Sequence, residues 1–363
     1  MIATFKPGSL QGTIVAPPSK SMAHRYLIGA ALSGHPCTLT GVDYSEDILA
    51  TIDCLRAMGA TVTTDGDTVK LDPQGFMQTV CPVLECRESG STLRFFIPLA
   101  LCLGKTVTLR GSQRLLERPL TVYETLCREK GFTFEKNADS ITLCGRMESG
   151  RYVVPGNTSS QFITGLLLAL VYLGGDSSVS IRPPFESRPY VQLTVSALRC
   201  FGASVTWTDD DTIAIGAAPL HAFSGRIEGD YSNAAFLDAF NLLGSSVKVE
   251  GLSPDSLQGD RVYADYFAWI AAGTPTLDIS DCPDLGPVLF ALAALSRGRP
   301  LRGQIGSKLR KATVVPLCMR SCASLGEALL LAITRLPCPN NSSGTGEKLL
   351  TATTITASLW LCR

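Results

Sequence analysis

Lys20, Ser21 and Arg25, in the run APPSKSMAHRYLIGAALSG, are the residues whose types and spacing first suggest chemistry. Pro17 and Pro18 end an extended stretch, Ser21 opens a helix and Gly34 closes it. An ammonium, a hydroxyl and free backbone N–H groups then face one point, with a guanidinium one turn along. Such a point attracts an anion, because the helix N-terminus adds donors and a partial positive charge to two side-chain cations. The bland reading is a helix cap with solvated basic residues. The spacing is not that of a Walker loop, since G-x-x-x-x-G-K is absent.

The same device recurs twice. In RESGSTLRFF, Gly90 lets backbone approach a ligand, and Ser91 and Thr92 start a helix that carries Arg94. In VPGNTSSQFITGLLLAL, Ser159, Ser160 and Gln161 stand at the head of an apolar helix. One polar helix start is usually a cap. Three of them, beside Arg118 in LLERPL and Ser187, Arg188 and Tyr190 in FESRPY, point to a polyol phosphate held by hydroxyl, amide and guanidinium groups. Acid and base chemistry falls to carboxylates: Asp284, in DISDCPDLGPVLFALAAL, is either a helix cap or a general base, and Asp230, in EGDYSNAAF, reads as a cap.

The elements that must position these residues are legible as repeats. Three segments share a helix end, a glycine and two short alternating strands: LRAMGATVTTDGDTVKL from Leu55, LCREKGFTFEKNADSITL from Leu126 and LRCFGASVTWTDDDTIAI from Leu198. Their glycines, Gly59, Gly131 and Gly202, recur at about 70 residues, the mark of one supersecondary unit used several times. A strand closed by a turn recurs as CTLTG before Val42, VTLRG before Ser112 and VKVEG before Leu252. Amphipathic helices alternating with short strands predict an α/β (α+β) architecture of helices on sheets. Residues 13–225 are expected to form a first domain of three units. Residues 1–12 with 226–363 are expected to form a second, with the ligand site in a cleft at the hinge.

Composition narrows the function. The chain has 363 residues, 45% of them hydrophobic, and its 32 basic residues balance 32 acidic ones, so no global field draws it to nucleic acid or an anionic membrane. The amino end lacks the apolar stretch of a secretory signal, and the most apolar run, Phe162 to Gly174, is too short to span a bilayer. A cytoplasmic protein is expected. Thirteen cysteines without a C-x-x-C pair do not form a disulfide framework. His24, His35 and His221 are widely spaced, so neither a metal nor a cofactor is expected.

In order along the chain stand P-S-K-S-x-x-x-R, S-G-S-T-x-R, E-R-P, S-S-Q, S-R-P-Y, G-D-Y-S-x-A-A-F and D-C-P-D-L-G-P. That ordered set, over residues 1 to about 296, resembles the 5-enolpyruvylshikimate-3-phosphate synthases. The resemblance implies the two-domain enolpyruvyl transferase fold, built from βαβαββ units, and transfer of the enolpyruvyl group of phosphoenolpyruvate to the 5-hydroxyl of shikimate 3-phosphate. By it, Lys20, Ser21, Arg25, Ser159, Ser160, Gln161, Ser187, Tyr190 and Asp284 hold shikimate 3-phosphate. Lys20, Gly90, Arg118 and Gln161 face phosphoenolpyruvate, and Asp284 and Lys20 are catalytic. It also implies a monomer. Glu88 stands where many members carry Asn, which alters the electrostatics beside Gly90 and bears on inhibitor sensitivity.

The resemblance stops near Arg297. The family continues with R-L-K-I-K-E-S-D-R and later N-D-H-R segments, whereas residues 297–363 contain no Asp, Phe or Tyr and only Glu327 and Glu347 as acids. A shifted reading frame accounts for this, since codons for Leu350 to Leu361 permit D-G-H-N-D-H-R-I-V-M-A in another frame. Those for Ile305 to Val315 likewise permit R-L-K-I-K-E-S-D-R. Lys311 is then a coincidence. The second domain is expected to be incomplete or distorted and the chain nearly inactive. Two rival functions remain: the related transferase acting on UDP-N-acetylglucosamine, which wants K-N in place of Lys20-Ser21 and a catalytic cysteine loop, and a non-catalytic phosphate binder.

Overall fold

The computed structural model describes residues 8–79, 82–272 and 277–295. The expected fate of residues 297–363, and with it the completeness of the second domain, lies outside the described residues. The chain divides into two compact units, one of residues 17–229 and one drawn from the chain before Pro17 and after Gly229.

In chain order the strand β1 (Gln11–Val15) leads to helix α1 (Lys20–Leu32), β2 (Cys37–Thr40), α2 (Glu46–Ala57) and the hairpin β3 (Thr61–Asp65) and β4 (Thr68–Asp72). Next come β5 (Val83–Glu85), α3 (Gly90–Cys102), β6 (Val107–Arg110), the short α4 (Gln113–Leu116), α5 (Thr121–Lys130), β7 (Thr133–Lys136) and β8 (Ser140–Cys144). Then follow β9 (Arg151–Pro155), α6 (Ser160–Leu173), β10 (Ser177–Arg182), α7 (Arg188–Cys200), β11 (Ser204–Trp207), β12 (Thr212–Gly216) and β13 (Gly225–Arg226). The remaining elements are α8 (Tyr231–Leu242), β14 (Ser246–Glu250), α9 (Tyr263–Ala272) and α10 (Gly286–Leu295).

Within residues 17–229 one sheet is built three times. Its order is β5-β6-β8-β7, β9-β10-β12-β11 and β13-β2-β4-β3, each with one parallel pair followed by two antiparallel pairs. Two copies run βαβαββ along the chain, apart from the extra short helix α4; the third takes its first strand, β13, from the unit's far end. The repeated glycines Gly59, Gly131 and Gly202 all have positive φ, which frees each helix to turn into its hairpin. The sequence repeat is therefore a structural one, with one difference. In the copy β9-β10-β12-β11 the strand equivalent to CTLTG and VTLRG is β10, whereas VKVEG is β14 of the other unit, where it pairs in parallel with β1. Thr13 lies in β1, so the whole strand belongs to the smaller unit.

Strands such as β8 and β12 alternate buried residues with more exposed ones, and present their apolar faces to the helices. Helices α3 and α6 are apolar nearly all round, because they lie in the middle of the core rather than on its surface. They approach closely at Gly165, where a Cβ would strike the Tyr123 hydroxyl and the Arg94 carbonyl. The buried Tyr123 hydroxyl donates to Arg94 O at 2.8 Å and Phe162 O at 3.1 Å, tying α5 to the first turns of α3 and α6. The smaller unit has its own core, in which Tyr231, Tyr263, Phe267, Leu285 and Val288 take part. No helix among the described residues is long and apolar enough to cross a membrane.

Candidate active site

Three helix heads of the larger unit carry the polar residues. At α1 the cap is Ser19, whose hydroxyl accepts from Met22 N at 3.4 Å, so the helix starts at Lys20, one residue before the expected Ser21. At α3 the cap is Ser89, accepting from Thr92 N at 3.2 Å, and Gly90 is the first helical residue. At α6 Ser159 caps, accepting from Gln161 N at 3.3 Å, and Ser160 is the first helical residue. Each serine satisfies one orphan donor and leaves other first-turn N–H groups to a ligand. Neither Ser19 nor Ser89 stood out in the sequence, where each is one serine of a crowded pair.

Arg25 is 4% exposed. Its Nε donates to Thr194 Oγ1 at 2.8 Å, its Nη1 to Ser21 O at 2.6 Å, and its Nη2 to Tyr190 O at 2.9 Å and Thr164 Oγ1 at 3.4 Å. The guanidinium also stands 5.6 Å from the Phe95 ring centroid. Arg25 therefore gathers α1, α6 and α7, and with them Ser21 and Tyr190. Burial pushes its pKa down to about 10, partly offset by Tyr190, so it stays cationic at neutral pH. All four acceptors are neutral: a buried positive charge without a carboxylate among the described residues is one an anion would stabilise. Ser187, at the N-cap of α7, holds φ at 58°, a strained value for a residue with a Cβ.

A second cluster surrounds Gly90. A Cβ there would lie 2.8 Å from Arg118 Nη1 and 3.0 Å from Arg94 Nη1, so two guanidinium groups close over the head of α3 only because residue 90 has no side chain. Arg94 Nη1 donates to Gln161 Oε1 at 2.7 Å, and Gln161 Nε2 donates to Ser91 Oγ at 2.9 Å, which joins the heads of α3 and α6. Burial, and then the charge of Arg118, lower the Arg94 pKa to about 10. Neither arginine has an ion-pair partner among the described residues. Glu88 is exposed on the turn before Ser89.

Lys20 reaches Asp47 Oδ2 at 2.5 Å. His24, behind it, is buried, bonds Thr51 Oγ1 through Nδ1 at 2.8 Å, and is held neutral with a pKa near 3 by burial and then by the charge of Lys20. Asp284 belongs to the smaller unit, in the tight turn Pro283–Leu285 that leads into α10. Asp230 caps α8, accepting from Asn233 N at 2.8 Å. Among the described residues no three His, Cys, Asp or Glu side chains gather as a metal site would require.

Fold and site together define an α/β protein in which several helix N-termini lie beside guanidinium groups that have no carboxylate partner among the described residues. Its relatives are consistent with that class. The model of the EPSP synthase (3-phosphoshikimate 1-carboxyvinyltransferase) family matches residues 5–300. Proteins named 3-phosphoshikimate 1-carboxyvinyltransferase from Clostridium kluyveri and Clostridium novyi are 37% and 36% identical to it; the matches cover 81% and 80% of this chain and 74% of each relative. Two structures of EPSP synthase from Acinetobacter baumannii share its fold at TM-scores of 0.63 and 0.64 with 20% identity, covering 80% of this chain and 73% and 74% of theirs. The chain belongs to the EPSP synthase family, a family of transferases.

Proposed function

We infer that the chain transfers the enolpyruvyl group of phosphoenolpyruvate to the 5-hydroxyl of shikimate 3-phosphate and releases phosphate. Family membership supplies the reaction. The structural observation that carries it is the set of cations without carboxylate partners among the described residues, Arg25 of α1 held against α6 and α7 and the pair Arg94 and Arg118 over Gly90. Two trianionic substrates need such an environment: neighbouring guanidinium groups that repel each other become favourable when a phosphate or carboxylate lies between them.

In this reading Ser21, Arg25, Ser159, Ser160, Gln161, Ser187 and Tyr190 hold shikimate 3-phosphate, while Lys20, Gly90, Arg118 and Gln161 hold phosphoenolpyruvate. A proton goes to the enol methylene, which leaves the adjacent carbon cationic. The 5-hydroxyl oxygen bonds to that carbon as Asp284 takes its proton. The C–O bond to phosphate then breaks, and loss of a methyl proton restores the double bond. No step requires a cofactor. The balanced net charge supports a protein that is not drawn to nucleic acid or an anionic membrane, and the family resemblance supports a cytoplasmic monomer.

Calorimetric titration with shikimate 3-phosphate tests the binding half. Each charge-assisted hydrogen bond contributes about 1.5 to 3 kcal/mol, so Arg25→Ala should weaken binding roughly ten- to a hundredfold. Unchanged affinity would remove Arg25 from the site. Phosphate release with both substrates tests the transfer, since a mere binder gives a dissociation constant and no rate.

A further inference from the structure

Asp47 occupies the first turn of α2, a place where an acidic residue ordinarily does no more than complement the helix dipole. Here its carboxylate meets the Lys20 ammonium at 2.5 Å, with both side chains largely covered. Its backbone carbonyl accepts from Thr92 Oγ1 at 3.3 Å, and Thr92 Oγ1 lies 2.8 Å from both Ser89 Oγ and Thr51 Oγ1. One turn of α2 thus touches the first residue of α1 and the first turn of α3, the two heads that carry Lys20 and Gly90. Burial disfavours the Asp47 carboxylate, yet the Lys20 ammonium beside it holds its carboxyl below the usual range, so it is an anion when the site is free.

A carboxylate beside an anion site opposes the ligand unless its charge does something else. Lysine has a flexible four-carbon stem and three donors, and is poorly directed on its own. We propose that Asp47 is a positioning residue, which presets Lys20 against the first turn of α3 and leaves two of its three ammonium donors for the substrate anions. The proposal rests on the reading of Lys20 as a substrate-facing group.

The first test reads the ion pair without any substrate. The full chain is treated briefly with acetic anhydride, and acetylation of Lys20 is compared with that of Lys70 and Lys136 by peptide mass spectrometry. Asp47→Asn should raise the relative rate at Lys20 at least fivefold, and Asp47→Glu should raise it less; an unchanged rate in the amide variant overturns the proposal. The second test titrates shikimate 3-phosphate and then phosphoenolpyruvate into the same chains, with circular dichroism confirming the fold. Lys20→Ala should lose affinity, and Asp47→Asn should lose at least tenfold, with partial recovery in Asp47→Glu. Equal or tighter binding by Asp47→Asn, while Lys20→Ala binds weakly, overturns the proposal and leaves the reading of Lys20 standing. Unaffected binding by Lys20→Ala overturns that reading itself.

Discussion

The two units differ in what the helix heads at the candidate site offer. In residues 17–229 α1, α3 and α6 begin at serine caps, and Arg25 of α1 and Arg94 of α3 are largely buried without carboxylate partners among the described residues. In the smaller unit α8 begins at Asp230 and α10 follows the turn that holds Asp284. The larger unit has three copies of one four-stranded sheet; the described part of the smaller one has a single parallel strand pair. An anion site needs several fixed donors at once, which threefold repetition of a helix head provides. A proton acceptor needs only one carboxylate in a suitable turn.

That contrast can be broken most severely at the chain's end. If the family's distal cations and acid are missing because of a shifted frame, restoring the frame near Arg297 should raise phosphate release by about three powers of ten or more. Several charge-assisted contacts of about 1.5 to 3 kcal/mol would return together. Comparable rates from both versions would show that the tail as it stands is functional. Within the restored protein, Asp284→Ala should lower turnover by about two to four powers of ten with little change in substrate affinity. If Asp284 only supports its turn, the same substitution should instead cost about 1 kcal/mol of stability in denaturant titrations and spare turnover.

A smaller effect sharpens the account of the larger unit. In Gly90→Ala the new methyl meets the ends of two flexible side chains rather than backbone, so the fold should survive while Arg118 moves. Phosphoenolpyruvate affinity in the restored protein should fall about tenfold, the equivalent of about one charge-assisted contact, with shikimate 3-phosphate binding nearly unchanged. Equal losses for both substrates would mean that Gly90 serves the whole site rather than one subsite.

The smallest effect concerns the support behind Lys20. His24 has a folded pKa near 3 against an ordinary value of 6.5, so between those values the unfolded chain binds a proton that the folded chain does not. Stability should therefore fall as pH drops below 6.5, with a limiting slope of about 1.4 kcal/mol per pH unit. Asp47, whose carboxyl is also lowered, adds a loss of the same sign at more acidic pH. Urea midpoints between pH 7 and 4 should show the slope, and His24→Asn should flatten it; identical slopes would assign the pH dependence to other groups.

How much of this was legible in the sequence depends on how local each feature is. The polar starts of α1, α3 and α6 and the glycine-hairpin repeat are written in consecutive residues, because capping and turn geometry are settled within a few positions of the chain. The sequence placed VKVEG in the second domain but not its pairing, since a five-residue strand with ordinary alternation fits many sheets and only register with β1 selects its partner. The long-range partners were not legible either. Thr164 and Thr194 look like ordinary core residues until α1, α6 and α7 pack and bring both against Arg25. Asp47 looks like a helix-dipole acid until α2 lies beside α1. The local sequence was enough to mark which helix heads are polar and to which family the chain belongs. Only tertiary packing decided which side chains orient those heads, because a buried charge takes its partners from whatever the fold brings within hydrogen-bonding reach, however distant in the chain.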